Sequence, residues 1–205
     1  MLPLQLEAAK QMLQFLNSIF PMSPALQEDI MGAIKFLTVP KKQHALKEGQ
    51  VSRNIYFVAK GLLRCYYIME DGTEVSTWFM RQGDVCVSVH SFYNQVISYE
   101  YIQALEPSEL IYISFDQLED LYKKHLEFNY IGRVLTIKYL VDWNWQLKDI
   151  RLLPTEDRYN ALLKRDADLI QRVPKKYIAS FLGMLPTSLS RTLDPKKKKK
   201  KKKKS

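Results

Sequence analysis

Cysteine, histidine and lysine are the chemistry-bearing residues whose spacing can be judged first in this 205-residue chain. Cys65 and Cys86 are its two cysteines, and they form no Cys-x-x-Cys pair. They read as buried strand thiols in a reducing cytosol, against the alternative of a disulfide or a metal pair. His44, His90 and His125 show neither His-x-His nor His-Glu-x-x-His spacing, which argues against metal-dependent chemistry. The lysines are distributed differently. Lys196 to Lys204 run without a break and equal the whole formal charge of +9. A basic balance ordinarily points to a polyanionic partner, but here that inference is local to the end of the chain. Nine like charges repel one another and bury nothing, so a disordered tail is predicted over 195–205.

The stretch before the lysines is more specific: PKKYIASFLGMLPTSLSRTL, residues 174–193. Two short helices joined by a tight turn need a small residue at their crossing, a glycine in the turn and apolar residues in the angle between them. Ala179 is the small residue and Gly183 the turn glycine. Ile178, Leu182, Met184 and Leu189 supply the plug. Pro186 falls in the first turn of the second helix, where its missing N–H is not needed. This is helix-turn-helix spacing, although any small helical hairpin has a similar plug.

The elements that must position this motif fall into three textures. The first is helical: Leu6, Ala9, Leu13, Leu16 and Phe20 recur at three and four, and Pro21 and Pro24 break the run. Ser23-Pro24 predicts the cap and first turn of a second helix ending near Phe36. The second, from about Val39 to Ser114, is β. Gly49, Gly61, Gly72 and Gly83 punctuate it at nearly equal intervals, between NIYFVAK, LLRCYYIM, EVSTWFM and VCVSV. Asp71-Gly72 is a hairpin signal, and YEYIQAL and LIYISF close the segment. The pattern reads as an antiparallel meander wound into a roll or barrel, with a sandwich as the alternative that spacing does not separate.

The third texture is helical again, from FDQLEDLYKKHLEF into a long helix ending before Pro154. Tyr130, Val134, Ile137, Val141 and Trp145 form a stripe along it that must pack on something. Packing on its own roll and pairing with a second chain both fit the pattern. Thr155 is expected to cap one further helix, TEDRYNALLKRDADLIQRV, with Glu156 and Asp157 in its first turn. No stretch reaches the roughly 20 apolar residues of a membrane span. The start lacks the pattern of a signal peptide, so a cytoplasmic protein is expected.

The order of helices, glycine-punctuated roll, long helix and terminal helix-turn-helix resembles the Crp/Fnr family of bacterial transcription regulators, in the branch typical of Bacteroidetes. The residues carrying the resemblance are LKEGQVSRNIYFVAKGLLRCYYIMEDGTEVSTWFMRQGDV, PTEDRYNALL and RVPKKYIASFLGMLPTSLSR. It implies an α+β fold: N-terminal helices, a cyclic-nucleotide-binding-like double-stranded β-helix or jelly roll, a long dimerisation helix and a C-terminal winged-helix type of helix-turn-helix. The domains would be a sensor over 1–125 (roll about 39–114), a connecting helix over 126–153, and a DNA-binding domain over 154–194 with its motif at 174–193. The stripe residues Val134, Ile137, Val141 and Trp145 would then form a homodimer interface.

Carried over residue by residue, the resemblance departs from the family at both ends. Cyclic-AMP binders hold phosphate with arginine and ribose with glutamate. Counting from Gly83-Asp84, the glutamate position falls on Ser88, and the Arg-Ser-Ala positions on Ser98, Tyr99 and Glu100. No cation stands at the phosphate position, so weak or no cyclic-AMP binding is expected, and no cofactor is implied. Two distant cysteines do not supply an iron–sulfur ligand set. Ser88, Ser91, Tyr93, Ser98 and Trp143 are the candidate contacts to another small-molecule effector, with solvated loop residues as the alternative. On the DNA side the family's base-facing positions fall on Pro186, Thr187, Ser188 and Arg191. Arg191 is the expected base reader, with phosphate binding as its alternative. Thr187, Ser188 and Ser190 are candidates for base or phosphate hydrogen bonds, and Lys175 and Lys176 for backbone contacts. Leu185 stands where relatives usually place a capping threonine, and Asp194-Pro195 should stop the second helix early. The lysine run is either a genuine basic tail or non-native.

Together these features point to a homodimeric DNA-binding regulator without enzymatic activity, with RNA polymerase a further partner and no membrane association. The competing reading is a small-molecule-binding or interaction module with a degenerate DNA-binding head. A cupin-like enzyme on the roll would need converging metal ligands.

Overall fold

The computed structural model describes residues 2–193, so the expected disordered tail and the Asp194-Pro195 stop lie outside the described residues. The fold divides into two compact units. The first takes residues up to 67 and 77–138, and the second takes 68–76 and the chain from 139 onward.

In the first unit, α1 (Pro3–Ile19) and α2 (Pro24–Ala33) precede the roll. The buried face of α1 is Ala9, Met12 and Leu16, whereas Leu6 and Phe20 of the expected stripe are exposed. The Ser23 side chain caps α2 by accepting from the Leu26 N–H. The helix ends at Ala33 rather than near Phe36, because β1 (Lys35–Val39) already pairs with β8 (Ser108–Ser114) in antiparallel register, Phe36 opposite Ile111. The roll therefore begins four residues before the predicted start.

The remaining strands are β2 (His44–Leu46), β3 (Asn54–Lys60), β4 (Leu62–Ile68), β5 (Glu74–Arg81), β6 (Val85–Cys86) and β7 (Tyr101–Ala104). They form two four-stranded sheets, β1-β8-β3-β6 and β2-β7-β4-β5. Two antiparallel sheets agree with the expected roll, but not with a meander, because apart from β4-β5 the neighbouring strands are not consecutive in the chain; the four spaced glycines all have positive φ. At Gly61 the requirement is also steric, since a Cβ would lie within 2.8 Å of the Ser108 Cα at φ +105°. VCVSV does not stay a strand: Val89 opens a short helix, α3 (Val89–Asn94), and Ser88 is its N-cap residue.

Alternation along the strands separates two cores. Val58, Leu63, Cys65, Met80, Cys86, Ile102 and Leu110 fill the roll. Phe57, Ala59 and Ile111 face outward into a helical layer of α1, α2, α4 (Phe115–Lys124) and the start of α5 (Leu126–Leu152). Both cysteines are buried and free, and the Cys86 thiol beside it and then burial push the Cys65 thiol well up. Unreactive core thiols follow.

The helical region after Ser114 is two helices, with His125 as the break. His125 Nε2 sits 2.6 Å from Asp29 Oδ2 and holds that break against α2. In the second unit the single helix expected after Pro154 is also two, α6 (Thr155–Arg165) and α7 (Ala167–Arg172). Asp166 interrupts them, and its carboxylate accepts from the Leu169 N–H as the cap of α7. Pro154, not Thr155, occupies the N-cap of α6, with Glu156 and Asp157 in the first turn as expected. An Arg165–Asp149 ion pair at 2.6 Å ties α6 to α5. No helix of the described residues is long and apolar enough to cross a membrane.

Candidate functional site

The second unit ends in α8 (Lys175–Phe181) and α9 (Pro186–Leu193). The turn between them carries Gly183 at φ +62°, and the Met184 N–H closes it by donating to the Ala179 carbonyl at 2.9 Å. Ile178, Ala179, Leu182, Met184 and Leu189 are all buried, so the plug read from spacing is packed. Pro186 is the first residue of α9. Leu185 before it is 70% exposed and has no side-chain oxygen with which to cap.

Two residues that the spacing argument missed hold this pair of helices. Arg158 of α6 donates from Nη1 to the carbonyls of Leu182 and Gly183 at 3.1 and 3.3 Å, and from Nε to Leu153 O at 3.1 Å. One guanidinium thus satisfies the carbonyls of the turn, which two short helices leave without partners. A Cβ on Gly183 would sit 3.3 Å from that guanidinium. Arg158 belongs to PTEDRYNALL, so the signal was present in the segment although its role was not. The second is Ser180. Its hydroxyl donates to Glu74 O at 3.0 Å and accepts from the Ser76 N–H at 2.8 Å, joining α8 to the hairpin strand. Sequence spacing holds no signal for a contact across a hundred residues.

Replacing Arg158 with alanine leaves the part-buried carbonyls of Leu153 and Leu182 short of a partner and is expected to cost roughly 2–6 kcal/mol, at ~1–3 kcal/mol per unsatisfied group. Urea unfolding followed by circular dichroism should show a lower midpoint for the variant.

Of the candidate DNA contacts, Lys175, Lys176, Thr187, Ser190 and Arg191 are exposed and Ser188 is half-buried. The Ser190 hydroxyl donates to Pro186 O at 3.0 Å, so its proton is already engaged within α9. Lys176 Nζ lies 4.7 Å from the centre of the Tyr177 ring. On α5, Ile137, Val141 and Trp145 are 46–48% exposed and Val134 is half-buried.

The candidate effector residues separate into two kinds. Ser88, Ser91 and Ser98 are buried, which corrects the reading of them as solvated loop residues, whereas Tyr93 and Trp143 are exposed. The Ser88 hydroxyl lies 3.1 Å from that of Ser98 and donates to Glu100 Oε2 at 2.7 Å. The Glu100 N–H donates to the Ser98 hydroxyl at 3.0 Å. Ser91 accepts from the Ser52 N–H at 2.8 Å. Burial and then the Glu100 carboxylate beside it push the Tyr67 hydroxyl up, so it stays protonated and hydrogen-bonded to Glu100. The loop is therefore knotted around a carboxylate. The Glu100 carboxylate at the centre of this loop is repulsive to an anion brought beside it. Among the described residues no group of three or more His, Cys, Asp or Glu side chains could hold a metal.

Residues 36–125 match the family described as "Cyclic nucleotide-binding domain". No curated protein matches the chain. Solved structures that share the fold include FixK2 from Bradyrhizobium japonicum, with 17% identity and a TM-score of 0.68 over 78% of this chain and 82% of that one. The c-di-GMP-responsive global regulator CLP of Xanthomonas campestris is 18% identical, with a TM-score of 0.67 over 83% of this chain and 90% of that one. A protein of Eubacterium rectale assigned to the Crp/Fnr family is 18% identical, with a TM-score of 0.68 over 86% of both chains. The chain thus shares its fold with these proteins, of which the Eubacterium rectale one is a Crp/Fnr-family regulator by description.

Proposed function

We propose that the chain is a homodimeric, sequence-specific DNA-binding regulator of Crp/Fnr type, with α8 and α9 as its helix-turn-helix and α9 as the reading helix. The observation that carries this reading is the packed, glycine-turned pair of helices with Thr187 and Arg191 exposed on α9. Insertion of α9 into the major groove would bring Arg191 to base edges, with Thr187 and Ser188 at bases or phosphates and Lys175 and Lys176 against the backbone. The exposed Ile137, Val141 and Trp145 on α5, with Val134 beside them, support pairing with a second copy. Two copies related by a two-fold axis would read a palindromic operator, and RNA polymerase is the machinery that such a regulator would address.

The roll serves as an effector domain or scaffold that does not take cyclic AMP. Glu100 supports this, because Ser88, which is bonded to it, also lies 3.1 Å from Ser98, the expected phosphate position, so a carboxylate stands beside that position. Calorimetry with cyclic AMP should show no binding tighter than about 1 mM. Micromolar binding would overturn this part of the reading.

The decisive test is operator selection with a chain ending at Asp194. A reproducible enriched palindrome supports the regulator. Binding that needs the lysines and shows no preference instead favours a module whose DNA-binding head is degenerate, a reading that exposed Leu185 keeps open.

A further inference from the structure

The first unit contains a cavity of about 90 Å³ between its helices and the outer face of the sheet β1-β8-β3-β6. Met12 and Leu16 of α1, Ile30 of α2, Ile111 of β8, Leu121 of α4 and Phe128 of α5 are among the residues that line it. Its wall is hydrocarbon. The hydroxyl of Tyr56, another lining residue, is turned away and donates to Ala45 O at 3.3 Å. The wall itself offers a water none of the two to four polar partners it requires.

Polar ties keep the space from closing, each next to a lining residue. Gln117 Nε2 donates to Ala33 O at 3.1 Å, beside Leu118 and Ile34. The 2.6 Å contact of His125 with Asp29 sits beside Ile30. The Ser23 hydroxyl donates to Glu127 at 2.7 Å, beside Phe128. These bonds hold α2 at a fixed distance from α4 and from the first turn of α5.

We propose that this cavity is a binding site for a small, uncharged, apolar molecule: a gas or short hydrocarbon smaller than the benzene that an apolar cavity of ~150 Å³ accepts. Such a ligand restores the dispersion contacts that the wall residues lack on their open side. Because Phe128 is part of the wall, occupancy stabilises the root of α5 against the roll. The site lies apart from the Ser88–Glu100 loop and does not depend on DNA binding.

The test uses the full chain with methyl-labelled Ile and Leu, titrated with xenon. Shifts should centre on Ile30, Ile111, Leu118 and Leu121, and leave Leu63 and Ile102 inside the roll unmoved. At xenon ten times above its dissociation constant, amides of α5 near Phe128 that exchange by opening this layer should slow about elevenfold. Ile30→Phe, which fills the space, should abolish the response. Val85→Ile adds one methylene at the wall, and should weaken the response even if the larger substitution does not fold. No shift in the wild-type chain, shifts centred on the roll interior, or an undiminished response in the folded filling variants each overturns the proposal.

Discussion

Arg191→Ala, in a chain ending at Asp194, is expected to abolish operator preference while leaving weak, sequence-independent binding. The guanidinium is exposed on α9, one turn after Thr187, where a helix entering the major groove presents side chains to base edges. Two parallel hydrogen bonds to guanine O6 and N7 give ~1–3 kcal/mol of discrimination, or roughly 5- to 150-fold per half-site, and a symmetric dimer counts it twice. Removing the lysines beforehand matters, since phosphate contacts add affinity for every sequence and steepen the salt dependence. Fluorescence anisotropy with the selected operator and a scrambled duplex at several salt concentrations checks the result. Arg191→Lys separates the two roles, because lysine keeps the charge but loses the planar fork. A base reader loses preference in both variants, whereas a phosphate contact is largely kept by lysine.

The second large effect is expected from Ile137→Asp combined with Val141→Asp. Both native side chains are nearly half exposed, one turn apart on a 27-residue helix, in line with Trp145. If this stripe is the seam between two copies, the double substitution places four carboxylates in an apolar interface. Each loses hydration without a partner, at a cost of several kcal/mol. The dimer dissociation constant should rise by about a thousandfold or more, equivalent to ~4 kcal/mol. Sedimentation velocity across protein concentrations measures this directly. Operator affinity should fall with it, because one half-site contributes only part of the binding energy. Since the replaced side chains are exposed, the fold itself should survive, and an unchanged far-ultraviolet spectrum provides the control. A variant that stays dimeric would remove α5 as the interface.

Much of the architecture was legible in the chain because it rests on local chemistry. Turn glycines with positive φ, the Ser23 cap, and the small and apolar residues between α8 and α9 each satisfy a requirement set within a few residues. Where the reading slipped, a longer-range partner decided. Lys35–Val39 leaves α2 for a strand because β8 offers it an edge. VCVSV stops at Cys86, where α3 and its buried serines take over. The single helix expected after Pro154 breaks for a local reason instead, because the Asp166 carboxylate caps the next helix.

The candidate site divides in the same way. Periodicity placed Thr187 and Arg191 on one short helix, and charge alone argued against phosphate at Glu100. It could not show that Glu100 is bonded to Ser88 and Tyr67, that Arg158 caps the turn at Gly183, or that Ser180 pairs with Glu74 and Ser76. Those bonds join residues up to 106 positions apart, and no local preference encodes them. The apolar cavity is the extreme case. Sequence identifies Leu16, Ile30, Ile111 and Phe128 as core residues, but whether such side chains meet or leave a space depends on how far apart the packed layers are held.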